Sequence, residues 1–490
     1  MSDLKSRLKD PSLLRTDSFI NGGWEKGASR FDVNNPANRT KVADVADVGA
    51  AGAKQAVKAA AAANLEWRRT SPFERARIVK RWHDLIMEHQ DDLGVILAME
   101  MGKPLAEAKG EVAYGAGFVE WAAEEAKRVH GETIAVPFPG ARGWTIRQPV
   151  GVVSCITPWN FPSAMITRKC SPALAVGCPI VIKPAAETPL SALALAELAA
   201  RAGFPKGVFN VVTGEAKHIG PVLTQSDEVA MIGFTGSTQV GALLMEQAAK
   251  GIKRVALELG GNAPFIVMDD ADVEKAADGL IQGKFRAGGQ TCVSPNRVFV
   301  QEAIMADLTE ALAERVKKVK IGDPFEEGVQ VGPLIHDKAV ERVSELVSAA
   351  TAKGAKVVAG GKSLAKELGG SFYAPTLITG ADISSSIAVN EIFGPVASLY
   401  PVKDEAEIIK LANATPYGLA AYLYTRDAGR VHRITEGVDF GMIGVNAPMV
   451  GSPATPFGGM KQSGIGREGG KWAAEEFTEL KFVLLSGIDE

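Results

Sequence analysis

A chain of 490 residues is longer than one hydrophobic core uses, so two or three packed units are expected. Hydrophobic residues at 46% and charged residues at 23% are ordinary globular proportions, which excludes long disordered stretches. The net charge of -3 comes from 54 basic and 57 acidic residues interspersed along the chain; no basic footprint for a phosphate backbone forms, so nucleic acid is not an expected partner.

In chain order, residues 1–15 are polar and charged without an apolar centre, which fits neither a secretory signal nor a membrane anchor, and the expected location is the cytoplasm. Apolar residues recurring at three and four predict amphipathic helices over 51–67 and 72–101. From Gly151 onward, β-branched runs (GVVSCIT, PIVIK, VFNVVT, VAMIGFT, RVALEL) alternate with helical stretches at 164–176, 190–202, through Ile219, and 238–249. That alternation predicts a parallel sheet with helices on both faces. A second series follows Gly261, with helices near 273–286, 303–320 and 337–353 and strands near KVVAG, VASLYPV, AAYLYT and MIGVN, so a boundary is expected at 259–261. The longest run free of charged, hydroxyl and amide side chains, 172–182, has 11 residues, short of the roughly 20 that span a bilayer. Four cysteines without CxxC spacing indicate a reducing compartment, and six histidines without ligand spacing give no metal site.

Three residues invite chemistry. Cys292, in KFRAGGQTCVSPNR, follows Gly288 and Gly289 on a loop, the open and polar setting that a thiolate nucleophile needs, whereas Cys155, Cys170 and Cys178 read as small core residues. Glu258 ends the apolar run RVALELGG, where burial raises a carboxyl toward general-base range; alone, it reads more readily as an edge-of-sheet acid paired with an Arg or Lys. Asn160, in ITPWNFP at the end of a strand, is placed either to donate to an oxyanion or to make a proline-flanked turn. No GxGxxG follows a strand; instead FTGSTQVG sets Gly236 and Ser237 at a strand-to-helix junction, suited to a pyrophosphate or to an ordinary helix cap.

Taken in order over nearly the whole chain, TPWNFP, KPAAETP, FTGSTQVG, LELGGNAP, GQTCVSP, EIFGPV and PFGGMKQSGIGREGG resemble the aldehyde dehydrogenase superfamily. The resemblance implies Cys292 as nucleophile, Glu258 as the base that activates a deacylating water, and Asn160 with the Cys292 backbone N–H as oxyanion donors. It implies a nicotinamide cofactor at Trp159, Lys183, Pro184, Ala185, Ala186, Gly236, Ser237, Leu259, Glu391 and Phe393. A catalytically silent protein of the same fold is disfavoured by the intact Cys292, Glu258 and Asn160, and a cofactor-free cysteine hydrolase by the lack of a histidine partner.

ITRKCSPALAVGCP, ALELGGNAPFIV and KFRAGGQTCV are similar to succinate-semialdehyde dehydrogenases in particular. That likeness implies a small semialdehyde substrate, succinate semialdehyde, whose distal carboxylate is held by Arg168 and Arg286. The subfamily's carboxylate-binding serine falls at Gly451, with Ser452 next to it, so glutarate and 2-oxoglutarate semialdehydes stand as alternatives. Ala186, where NAD-preferring relatives carry an acid, implies NADP as the preferred cofactor with NAD also used. The implied fold is α/β, two doubly wound α/β domains plus a small β oligomerisation element: a dinucleotide-binding domain over 1–125 and 149–259, a catalytic domain over 260–445, and an oligomerisation element over 126–148 and 470–490. A homodimer or homotetramer follows, because an isolated hairpin is marginal in water.

Overall fold

The computed structural model describes residues 2–487. Among them, the first of two large sheets has eight strands in the order Gly23–Glu25, Ser18–Ile20, Phe209–Val211, Ile180–Lys183, Val152–Ile156, Val229–Thr235, Arg254–Glu258 and Gly464–Ile465. The five strands from Phe209–Val211 to Arg254–Glu258 run parallel. Their β-branched runs are covered on both faces, and Ile180–Lys183 is buried throughout, so no polar face alternates with the apolar one. The sheet is therefore parallel only in its middle. A hairpin at 18–25 closes one edge and the antiparallel Gly464–Ile465 closes the other.

From Val152–Ile156 the chain steps outward through Ile180–Lys183 to Phe209–Val211, then returns to the opposite side at Val229–Thr235. That reversal opens a crevice at the carboxyl ends of Val152–Ile156 and Val229–Thr235, the place where open α/β sheets receive ligands.

The second sheet orders Lys356–Ala359, Thr376–Thr379, Val396–Val402, Pro295–Gln301, Ala263–Val267, Ala420–Tyr424 and Met442–Val445, parallel except for the first. A third, antiparallel sheet joins Thr478–Leu485, Arg142–Pro149 and Thr133–Ile134. Residues 470–476 are not part of it: Gly470–Glu476 is a helix packed on the Ala164–Val176 helix.

Most predicted helices form where expected, including Ala164–Val176, Pro189–Ala202 and Thr238–Ala249. The single helix predicted over 72–101 is two, Pro72–Glu88 and Gln90–Met101, because His89 leaves helical geometry at φ -100°, ψ 18°. On the first of them Trp82 faces the core, where its ring meets Phe204 and Phe209 edge-on and its indole N–H donates to the Leu195 carbonyl. The helix Leu105–Glu125, which the periodicity of the sequence does not predict, lies against Ala164–Val176.

Candidate active site

The oxyanion candidate sits where the central parallel strand ends. After Val152–Ile156 the chain turns through 157–163 into the Ala164–Val176 helix, and this turn buries Asn160. One hydrogen of its side-chain amide reaches the Gln290 carbonyl at 2.9 Å. The amide has a second hydrogen to give.

Gln290 belongs to the loop that carries Cys292. That loop leaves the Val273–Phe285 helix through three left-handed residues, Ala287 (φ 50°), Gly288 (φ 63°) and Gly289 (φ 75°). At Gly289 a Cβ would lie 2.2 Å from the Gly394 carbonyl oxygen, so only glycine allows the approach. The Gln290 side chain ties the loop at two points: it donates to the Ala287 carbonyl at 3.0 Å and accepts from the Ile335 amide at 2.9 Å. Of the four thiols, Cys292 alone keeps surface exposed. Its apolar walls push the thiol up to about 12; Arg168 and Arg286 oppose the shift, while Glu391 and Glu258 add to it.

Glu258 closes the strand Arg254–Glu258, clamped between Val229–Thr235 and Gly464–Ile465. Its carboxyl is buried, and among the described residues Oε2 has no hydrogen-bond partner. Burial raises it well above the ordinary range, helped by the neighbouring Glu468 and opposed by Arg168, Lys169 and Arg467. Glu468 takes the opposite state. Burial would raise it, but Arg168 and Lys169 overcome that and hold it at about 2. The site thus sets two neighbouring carboxyls far apart, Glu468 ionised and Glu258 holding its proton far more tightly.

The crevice at the strand reversal encloses about 210 Å³ between Trp159, Asn160, Gly236, Ser237, Leu259, Cys292, Glu391 and Phe393. Ser237 caps the Thr238–Ala249 helix by accepting from the Val240 amide at 3.4 Å, which leaves a helix N-terminus facing this end of the sheet. The Trp159 and Phe393 rings meet edge-on at 5.5 Å. Glu391 accepts from the Gly261 amide at 3.2 Å and is lifted to about 7 by burial. Lys183 is buried, its ammonium donating to the Pro184 carbonyl at 2.9 Å. Beyond it Pro184 is buried, Ala185 half-buried, and Ala186 and Glu187 exposed. These residues fit a dinucleotide: the buried Thr235 hydroxyl, with no partner among the described residues, lines the same crevice.

A second cavity of about 310 Å³ opens on the other side of the Cys292 loop, walled by Glu107, Tyr114, Phe161, Arg286, Val293, Tyr422, Met449, Gly451 and Phe457. Arg286 stands over Phe161, and Nη1 faces the Met449 sulfur at 3.4 Å. Arg168 does not reach this wall. Its guanidinium lies behind the Phe457 ring, 3.9 Å from the centroid, and its Nε donates to Glu468 at 2.5 Å. Ser452 is likewise turned away, its hydroxyl 3.1 Å from that of Thr455. Of the three expected carboxylate contacts, the cavity receives Arg286, while Glu468 holds Arg168 and a local turn takes Ser452.

Residues 24–483 match the aldehyde dehydrogenase family. The chain belongs to that family. It is 50% identical over 481 residues to the NADP(+) succinate-semialdehyde dehydrogenase of Escherichia coli strain K12, covering 98% of this chain and 99% of the relative. It is 49% identical over 484 residues to a glutarate-semialdehyde dehydrogenase of Pseudomonas aeruginosa, covering 98% and 100%. The solved succinate-semialdehyde dehydrogenase of Burkholderia pseudomallei superposes with a TM-score of 0.97 at 48% identity, over 98% of this chain and 100% of that one.

As an aldehyde dehydrogenase family member, the chain shows site residues that its motifs do not mark. Arg342 lines the crevice and donates to the Glu391 carbonyl at 2.6 Å. Tyr422 fixes the nucleophile loop by donating to the Val293 carbonyl at 2.7 Å. Both lie far from Cys292 in sequence, on segments whose only local signal is ordinary helix or strand periodicity. Among the described residues, no group of three or more His, Cys, Asp or Glu side chains is placed to hold a metal ion, and no helix is long and apolar enough to cross a membrane.

Proposed function

We propose that this aldehyde dehydrogenase oxidises succinate semialdehyde to succinate, with NADP preferred and NAD also accepted. The observation that carries the substrate is Arg286: a guanidinium on the wall of the cavity beside Cys292 whose side chain bonds no carboxylate among the described residues. A planar cation so placed recognises the distal carboxylate of a short semialdehyde. Arg168, behind Phe457, adds its field and not a direct contact.

The Cys292 thiol, after losing its proton, attacks the aldehyde carbon. The oxygen that becomes anionic is met by the free hydrogen of the Asn160 amide and by the Cys292 backbone N–H. A bound nicotinamide dinucleotide supplies the acceptor for the hydride that leaves this adduct. Glu258 then takes a proton from water, the hydroxide adds to the Cys292 thioester, and the acid leaves as the sulfur is released. Trp159, Lys183, Gly236, Ser237, Leu259, Glu391 and Phe393 hold the dinucleotide, and the absence of an acid at the exposed Ala186 leaves room for a 2′-phosphate.

Gly451 favours glutarate semialdehyde as a second substrate. A Cβ there would stand 3.1 Å from both the Tyr114 hydroxyl and Phe457, so its absence frees space for one more methylene. The protein acts as a cytoplasmic homodimer or homotetramer, joined through the third sheet.

The test compares kcat/KM for succinate semialdehyde with that for butanal, with NADP and with NAD. Arg286→Ala is expected to lower the first by about 10- to 100-fold and to leave the second within about threefold, the effect of removing one charge-assisted contact. Equal turnover of both aldehydes by the unaltered protein sinks the substrate proposal.

A further inference from the structure

The helix Leu105–Glu125 carries two acids one turn apart, Glu107 and Glu111, and neither takes part in the chemistry above. Glu111 is buried. One of its oxygens accepts from the Ser163 and Ala164 amides at 3.0 and 3.2 Å, so it caps the helix that follows the Asn160 turn. The other lies 2.5 Å from the ammonium of Lys103, which is itself almost wholly buried. Lys103 also donates to the backbone carbonyl of Asn160 at 3.0 Å and stands 3.7 Å from the centre of the Phe161 ring. This ion pair therefore grips the Asn160 turn at two points, the carbonyl of Asn160 itself and the amides that open the following helix. One turn earlier, both oxygens of Glu107 face the amide of Ala287, at 2.9 and 3.1 Å, at the left-handed start of the Cys292 loop. A single helix face thus holds the loop of the oxyanion donor and the loop of the nucleophile.

Burying an ion pair adds little to stability, because the desolvation of two charges offsets their attraction. Fixing a geometry is another matter. An oxyanion donor loses its effect when it is displaced by about an ångström, and a backbone carbonyl anchored by a buried ammonium is hard to displace. We propose that Lys103 and Glu111 are positioning residues that set the Asn160 amide against Cys292, with Glu107 as the matching anchor of the Cys292 loop. The proposal rests on the reading of Cys292 as an acylated nucleophile.

The test uses the full chain in its native assembly and two reactions of Cys292 that need no nucleotide. Acylation by p-nitrophenyl acetate, read as p-nitrophenolate, passes through an oxyanion; alkylation by iodoacetamide does not. In Lys103→Met/Glu111→Gln, which removes both charges together, acylation is expected to slow by about 10- to 100-fold while alkylation stays within about threefold. Where that variant does not fold, Glu111→Asp keeps both charges, withdraws the carboxylate by one methylene, and gives the same split. Combined with Asn160→Ala, the double substitution should add no further loss, since no amide then remains to be positioned. Acylation and alkylation falling together, acylation unchanged, or losses that add to those of Asn160→Ala each overturn the proposal. An enzyme that acylates normally but oxidises no semialdehyde overturns instead the function above.

Discussion

Cys292 and Glu258 both start from the wrong protonation state for chemistry, and the reason is the same: walls that exclude water disfavour charge. For Glu258 this is an advantage, because a base needs affinity for the proton it removes. Its carboxyl, raised by burial and by Glu468, must lose a proton before it acts, so turnover limited by thioester hydrolysis rises with pH through that ionisation. Glu258→Gln should flatten the rise and cut kcat by about 10²- to 10³-fold while the first burst of reduced cofactor persists. A lost burst, or an unchanged pH profile, assigns Glu258 another role. Both residues are legible in the sequence, Cys292 through its glycine-flanked loop and Glu258 through its place at the end of an apolar strand. The positions of Arg168 and Ser452 are not. A motif gives a residue's distance along the chain, whereas Arg168 is drawn behind Phe457 by Glu468, 300 residues away, and a Thr455 turn redirects Ser452.

At the scale of elements, caps decide what can be read. The helices Ala164–Val176 and Thr238–Ala249 appear with their predicted limits because Gly177 in left-handed geometry ends one and Ser237 begins the other. The helix Leu105–Glu125 hides because Gly110, Gly115 and Gly117 weaken its pattern. Packing supplies the reason for Gly115: a Cβ there would lie 3.1 Å from the Ala164 Cα and 2.8 Å from the Thr167 hydroxyl, so glycine lets two helices approach closely enough for Glu111 to reach the Asn160 turn. The same logic applies to Gly451 on the cavity loop. Gly451→Ser should raise the ratio of kcat/KM for succinate over glutarate semialdehyde by about 10-fold, the discrimination that one methylene of space confers. An unchanged ratio means that another wall limits chain length.

For the molecule as a whole, the two sheets carry complementary halves of the site: the first presents Asn160, Gly236 and Glu258, the second carries Cys292 just ahead of its strand Pro295–Gln301, and the crevice lies between them. The alternating pattern makes both sheets legible; their antiparallel edges, built from short segments remote in sequence, are not. The third sheet leaves Leu480, Phe482 and Leu484 exposed on one face of its outer strand. An apolar row on an unpaired edge is a surface that assembly covers. Leu480→Asp/Phe482→Asp is expected to shift sedimentation velocity to a smaller species; unchanged sedimentation places the contact elsewhere. The edge strand Gly464–Ile465 bears on how the protein is made. Glu258 is synthesised about 200 residues before Gly464, the segment that pairs with its strand, and Arg168 and Lys169 precede Glu468, their counter-charge, by still more. At ribosomal speeds that interval is on the order of 10–40 s, during which the growing chain holds two cations with no anion to neutralise them and a sheet with an open side. The first half of the polypeptide therefore waits in an unfinished state, exposed to chaperones and proteases, until the stretch around 464–468 emerges and completes it.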